Sequence, residues 1–304
     1  METRLYTCAV PSDMKACADC APCLLKRVLF QSRLIGDENE FRTMQSAMSV
    51  YAEEFREGAC SAEIASKVHA VAYASMGCDD PYRQLKLDAD RVAFEFEDEV
   101  RRFIESSDDR FAAAVRASIV GNIMDFGSGI AIDDPGEFRK VFGELLAQGV
   151  DSDDTEKLRD LVKRSDTVLY AFDNCGESVL DRFLIRELKA MGKRVVCVVR
   201  GKPVLNDVAL EDALRVGIDR ECDRIVSTGA FAIGFPREVC DSGLAEELPR
   251  AGVMITKGMA NFESLSDIDL GVPVAFLLRA KCAPVARNLG VPIGSNVVRV
   301  IRAD

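Results

Sequence analysis

Asp173-Asn174, Asn206-Asp207, Lys257 and Asn261 each stand at or just beyond the end of a short apolar run rich in β-branched residues. Asp and Asn oxygens without histidine suit a hard or borderline divalent cation such as Mg²⁺ or Mn²⁺. A lysine and an asparagine at a neighbouring strand end suit an anion, most naturally phosphate. Cation, ammonium and phosphate are the components of phosphoryl transfer or phosphate-ester hydrolysis. The competing reading is that Asp173, Asp207 and Asn261 cap the helices that follow their strands. The chain holds one histidine, His69, and no tryptophan, so a Ser-His-Asp or Cys-His mechanism would have to use that residue. A His-rich zinc site is excluded. His69 lies on a helical stripe and reads as a packed or surface residue.

These positions have meaning only if the runs before them are strands of one sheet. TVLYAF (167–172), RVVCVV (194–199), RIVST (224–228), VMIT (253–256), VAFLL (274–278) and VVRVI (297–301) recur with helical patterns between most of them. Alternating strand and helix with apolar strands predicts a parallel sheet covered on both faces. In such a sheet ligands bind beyond the carboxyl ends of the strands. Arg279 and Lys281 follow the run at 274–278 and join the same edge. Residues 17–120 instead show apolar spacing at i, i+3, i+4, i+7 in CLLKRVLFQSRLI, EFRTMQSAMSVYAEEF, SAEIASKVHAVAYASM and YRQLKLDADRVAFEFEDEVRRFI. The expected architecture is a three-layer α/β/α sandwich with a mostly parallel sheet, preceded by an all-α N-terminal bundle. The boundary is expected between a helical domain, 1–120, and a Rossmann-like domain, 121–304, that carries the site.

Lys257 and Gly258 are expected to turn sharply from strand into helix, presenting an ammonium and backbone N–H groups to a phosphate. On that reading Lys257→Ala loses most of kcat with little change in Tm. Asn122 and Asp125, at i, i+3, end a helical stretch before a Gly-rich turn at 127–129. From spacing alone they read as a helix C-terminus with a glycine stop. Cys17, Cys20 and Cys23 form CADCAPC, whose C-x₂-C spacing is half of a zinc or redox site. No second C-x₂-C follows, so structural thiols are preferred to a metal.

The chain of 304 residues has 39 Lys and Arg against 50 Asp and Glu, a net charge of -11, which disfavours nucleic acid and anionic membranes as partners. No apolar run approaches the roughly 20 residues of a membrane span, and the N-terminal residues lack the apolar core of a signal peptide. The expected compartment is the cytosol, with most of the 11 cysteines reduced. A homo-oligomer is compatible with the sequence.

An ordered series of segments resembles a known family. The segments are Cys20-Ala-Pro-Cys23, Asp80-Pro81-Tyr82 with Lys86, Gly121-Asn122 with Asp125-Phe126-Gly127, Asp173-Asn174 with Gly176-Glu177 and Asp181, Pro203 with Asn206-Asp207 and Glu211-Asp212, Lys257-Gly258 with Asn261-Phe262-Glu263, and Lys281-Cys282 with Pro284-Val285-Ala286. They are similar to the damage-control phosphatases, the family of domain of unknown function 89, in its smaller prokaryotic and archaeal branch. The resemblance implies metal-dependent hydrolysis of a small phosphorylated metabolite, a sugar phosphate or damaged phosphometabolite, with Mn²⁺, Ni²⁺, Co²⁺ or Mg²⁺ as cofactor. Carried over by position, it implies Asp173, Asn174 and Asp207 as metal ligands and Asp173, Asp207 and Lys257 as the catalytic set. Lys257, Asn261 and Lys281 would bind the substrate, and Asn122 and Asp125 would line the site. Cys175 stands where the family usually has Ala, and Asp207-Val208-Ala209 where it has Asp-Ala-Thr. The alternatives are a nucleotide-cofactor enzyme such as a methyltransferase, for which no G-x-G-x-x-G follows a strand, and a non-enzymatic metal- or phosphate-binding module.

Overall fold

The computed structural model describes residues 7–8, 14–36, 38–124, 135–236 and 241–302. The helical first half forms α1 (Cys20–Leu34), α2 (Glu40–Glu54), α3 (Ser61–Met76), α4 (Arg83–Glu95), α5 (Glu97–Glu105) and α6 (Arg110–Gly121), after a two-residue strand β1 (Thr7–Cys8). The pattern at 82–104, expected as one helix, is broken at Phe96. Its ring packs between Phe138 and Phe142, at centroid distances of 5.4 and 4.2 Å, and that anchorage redirects the chain from α4 to α5. Then follow α7 (Pro135–Ala147), β2 (Ser152–Asp153), α8 (Thr155–Arg164), β3 (Thr167–Ala171), α9 (Glu177–Ala190), β4 (Arg194–Val199), α10 (Leu210–Arg215) and β5 (Arg224–Ser227). The chain ends with α11 (Ser242–Glu247), β6 (Val253–Lys257), α12 (Gly258–Leu265), β7 (Ile268–Asp269), β8 (Val274–Arg279), α13 (Ala283–Leu289) and β9 (Asn296–Ile301).

Seven strands build the main sheet in the order β2-β9-β8-β6-β3-β4-β5. All neighbours are parallel except β8 and β9, which pair antiparallel. From β3 the chain runs outward through β4 and β5, then returns to the other side of β3 as β6. The order therefore reverses between β3 and β6, and such a switch point opens a crevice at the carboxyl ends of the two strands.

The strand periodicity divides the core between the two faces. Val168 and Tyr170 point to the layer built from α4, α5, α6 and α9, whereas Leu169 and Ala171 point to that of α11, α12 and α13. This accounts for strands that are apolar at nearly every position. The helical half is itself divided. α1, α2 and α3 close around Leu24, Val28, Ala47, Tyr51, Ile64 and Val68. In contrast, α4 to α6 share the core of the sheet, and α6 packs along α9.

One ion-pair cluster ties β4, β5 and α11 together. Glu247, fully buried, accepts from both terminal nitrogens of Arg194 at 2.6 and 2.7 Å and from Arg224 at 2.6 Å. Hydrogen bonding from Arg194 holds its carboxyl at about 2, below the ordinary 4.5. The folded state thus binds fewer protons here than the unfolded chain, so the stabilisation is complete above the ordinary value and fades as pH falls toward 2. Glu247→Gln should cost about 2 kcal/mol at neutral pH. Chemical denaturation at a series of pH values should show the gap between the two proteins closing below about pH 4. A gap that stays constant with pH would contradict the assignment.

Candidate functional site

Two loops at the sheet edge are stitched together by backbone hydrogen bonds. Val208 N–H donates to the Asp173 carbonyl at 2.8 Å, Cys175 N–H to that of Asn206 at 2.8 Å, and Arg200 N–H to that of Val208 at 2.8 Å. Asn174 and Asp207 pair as an isolated β-bridge. Residues 33 positions apart are thereby fixed side by side by the backbone itself.

The carboxylates so gathered are buried. Asp173 and Asp207 are 5% and 3% exposed, too little for water to neutralise them. The guanidinium of Arg200 lies between them, with Nε donating to Asp207 Oδ2 at 2.7 Å and Nη2 to Asp173 Oδ1 at 3.4 Å. Asp173 Oδ2 also accepts from the amides of Asn174 at 2.9 Å and Asn122 at 3.1 Å. Even so, burial, and then the negative charges of Asp207 and Glu177, push the Asp173 carboxyl well above the ordinary carboxylate range. The edge carries more negative charge than its residues balance.

Gly258 makes the approach of Asp173 feasible. It has φ +74°, and a Cβ built on it would fall 1.7 Å from Asp173 Oδ2. Only glycine allows both that backbone conformation and that contact. The same turn sends Lys257 behind the site. Its ammonium is fully buried and donates to the Ser118 carbonyl at 2.9 Å, to Asp181 Oδ1 at 2.9 Å and to Glu177 Oε1. Burial opposes the charge, but Asp181 and Glu177 outweigh it and hold the ammonium above its ordinary pKa.

Glu177 extends the support, its Oε2 accepting from the side-chain amides of Asn122 at 3.0 Å and Asn174 at 3.1 Å. Asn261 is equally committed: its amide donates to the carbonyls of Phe172 and Lys257, and its Oδ1 accepts from Arg200 at 2.9 Å.

A cavity of about 390 Å³ adjoins this edge. Of the residues expected to hold metal or substrate, Asp173, Asn174, Asp207 and Lys281 line it. Lys281 Nζ donates to the Asn122 carbonyl at 2.8 Å, which holds the ammonium beside the carboxylates. Asn122, Lys257 and Asn261 stand behind this lining, with their polar atoms directed to neighbouring protein groups. Asp125 and the turn at 127–129 lie outside the described residues. Arg200 is the functional residue that sequence reasoning missed. The signal was available, because Arg200 directly follows β4 as Asp173 follows β3 and Phe172. His69 is neither at the surface nor conventionally packed: it is fully buried and lines the cavity.

The donor set fits a divalent cation. It is all oxygen, and it carries surplus negative charge. The Asn174 nitrogen is already taken by Asp173 and Glu177, which leaves Oδ1 as its ligand atom. Among the described residues no group of three or more His, Cys, Asp or Glu is arranged to hold a metal ion. A cation here would therefore rest on two carboxylates, one amide oxygen and water, a shell that suits Mg²⁺ or Mn²⁺ better than zinc.

CADCAPC brings Cys20 and Cys23 to the cavity wall, with Cys17 Sγ 3.8 Å from Cys20 Sγ. Burial pushes Cys20 up to about 12, so it is a thiol rather than a reactive thiolate at neutral pH. The combined Cys17/Cys20/Cys23→Ser variant should keep kcat close to wild type. A large loss of turnover in a folded variant, or zinc or iron co-purifying in proportion to these thiols, would assign the cluster a role.

The sequence and the fold have relatives. A family profile for the damage-control phosphatase ARMT1-like domain matches residues 16–297. A damage-control phosphatase of Archaeoglobus fulgidus is 35% identical over 291 residues, covering 95% of this chain and all of that protein. A damage-control phosphatase of Pyrococcus horikoshii is 33% identical over 84% of this chain and 87% of its own length. The crystal structure of a domain-of-unknown-function-89 protein from Pyrococcus horikoshii superposes with a TM-score of 0.83 at 30% identity, covering 93% of this chain and 98% of that one. The chain belongs to the damage-control phosphatase ARMT1-like family. Its named relatives are phosphatases, and that is the class of enzyme they support here. Among the described residues no helix is long and apolar enough to cross a membrane.

Proposed function

We propose that this protein is a metal-dependent phosphatase that hydrolyses a small phosphorylated metabolite in the cytosol. The observation that carries the reading is the convergence of Asp173, Asn174, Asp207 and Lys281 on one end of a cavity of about 390 Å³, a volume suited to a small metabolite. A divalent cation bound there would polarise the phosphate and lower the pKa of a coordinated water. Asp173 and Asp207 would hold it through carboxylate oxygens and Asn174 through Oδ1. Arg200 fixes the spacing of the two carboxylates, so little reorganisation is needed when substrate arrives.

The ammonium of Lys281 would sit against a phosphoryl oxygen and neutralise charge as it develops. One oxygen of Asp173 or Asp207 would orient the attacking water and take its proton. Lys257 and Asn261, in this reading, act from behind. Lys257 holds Glu177, which holds the amides of Asn122 and Asn174. Asn261 holds Arg200. The test is Lys281→Ala assayed with p-nitrophenyl phosphate and Mn²⁺. Its kcat should fall on the order of 10²-fold in the folded variant. Near-normal kcat would mean that the phosphate is held by another group.

A further inference from the structure

The two loops that carry the expected cation ligands are also held from behind, by buried charges that the proposed reaction does not use. Asp90 of α4 and Asp212 of α10 are 4% and 5% exposed. Asp90 Oδ1 accepts from the Gly176 N–H at 2.7 Å, in the loop of Asp173 and Asn174. Asp212 Oδ2 accepts from the Ala209 N–H at 3.0 Å, in the loop of Asp207. Arg215 joins the two carboxylates. Its Nη2 donates to Asp90 Oδ2 at 2.6 Å, and its Nη1 lies 2.9 Å from Asp212 Oδ1. Lys86, also of α4, donates to Asp212 Oδ2 at 3.2 Å. Each of these four carboxylate oxygens has a donor from the protein, so the pair is a clamp on the backbone rather than a second cation site. The approach of α4 is close: Gly176 has φ +80°, and a Cβ built on it would fall 3.0 Å from the Ala89 carbonyl oxygen.

We propose that Asp90, Arg215 and Asp212 are positioning residues that set the separation of the Asp173 and Asp207 loops, and through it the affinity of the site for a divalent cation. This rests on the metal-dependent reading above. A small cation such as Mg²⁺ demands ligand oxygens at about 2.1 Å in near-octahedral geometry, so a slight shift of one loop is felt as lost affinity. The side chains at the edge work against that precision, because Asp173 and Asp207 are buried like charges that push the loops apart. Asp90 and Asp212 oppose the push at the backbone, and Arg215 makes the two holds one unit. Groups hydrogen-bonded behind metal ligands are typically worth about 10- to 100-fold in metal affinity or activity. The same unit ties the ligand loops to α4, so the helical half of the chain takes part in cation binding without supplying a ligand.

The test measures Mn²⁺ binding without substrate, from the electron paramagnetic resonance signal of the free ion, in wild type, Asp90→Asn, Arg215→Gln and the double variant. Asp90→Asn keeps an oxygen for Gly176 but turns an amide N–H toward Arg215. Arg215→Gln changes a side chain that is 29% exposed, where the fold tolerates replacement. Each single variant should bind Mn²⁺ about tenfold more weakly or worse. The double variant should bind no more weakly than the weaker single, since either change breaks the same unit. Arg215→Lys, which restores one cationic donor, should recover part of the affinity. Glu247→Gln is destabilised at a cluster that touches neither ligand loop, and it should bind Mn²⁺ as wild type does. Three results would overturn the proposal: wild-type affinity in Arg215→Gln, fully additive losses in the double variant, or an equal loss in Glu247→Gln. A wild type that binds no Mn²⁺ would instead overturn the metal-dependent reading itself.

Discussion

Lys257→Met should lower Tm on the order of 10 °C and remove nearly all turnover together. The ammonium faces two buried carboxylates, Glu177 and Asp181, and removing one partner of a buried ion cluster typically costs about 3–5 kcal/mol. For a domain of this size class each kcal/mol moves Tm by roughly 2–4 °C. Activity should go with it, because Glu177 would no longer be held where it orients Asn174 and Asn122. Sequence reasoning expected the opposite pairing, a catalytic loss with intact stability, because it set the ammonium against the substrate. Thermal unfolding of the variant decides between them. A wild-type Tm with kcat reduced on the order of 10²-fold would restore the direct phosphate contact. Adding Asp181→Asn to Lys257→Met should recover part of the lost Tm, since it removes one of the stranded charges.

Arg200→Met should make stability strongly cation-dependent. Without the guanidinium, the buried carboxylates of Asp173 and Asp207 lose the cation that lies between them, and unfolding in EDTA should come several kcal/mol sooner than in wild type. Mn²⁺ should then raise the Tm of the variant more than that of wild type, because a ligand that binds only the folded state stabilises it by mass action. Differential scanning calorimetry with and without the ion measures both effects. A variant as stable as wild type in EDTA, or one indifferent to Mn²⁺, would contradict the charge balance described here.

The legible part of the site was the part that follows from strand order along the chain. Asp173, Asn174 and Asp207 were singled out because residues in the loops beyond parallel strands face the crevice, and the structure brings all three to the cavity wall. The helices α1 to α3 followed from apolar spacing, and the strands from their β-branched runs. The antiparallel β9 and the reversal between β3 and β6 were not visible, since pairing partners depend on contacts between distant segments. Lys257 and Asn261 obeyed the same strand-end rule yet turned inward. Their partners, Glu177, Asp181 and Arg200, lie about 60 to 80 residues away in sequence, and no local pattern encodes that meeting. His69 was recognisable as helical; its complete burial became apparent only once α3 was seen docked over the Asp207 loop.

The most direct test is the hydrolysis of p-nitrophenyl phosphate by wild type, Asp173→Asn and Asp207→Asn, each in EDTA and then with Mn²⁺, Co²⁺, Ni²⁺ or Mg²⁺. Wild type should turn over only when a divalent cation is present. The two isosteric variants should fold normally and lose on the order of 10³-fold or more in kcat at saturating cation. Full wild-type turnover in EDTA, or a near-normal rate in Asp207→Asn with the cation present, would contradict a metal-assisted phosphatase built on these strand ends.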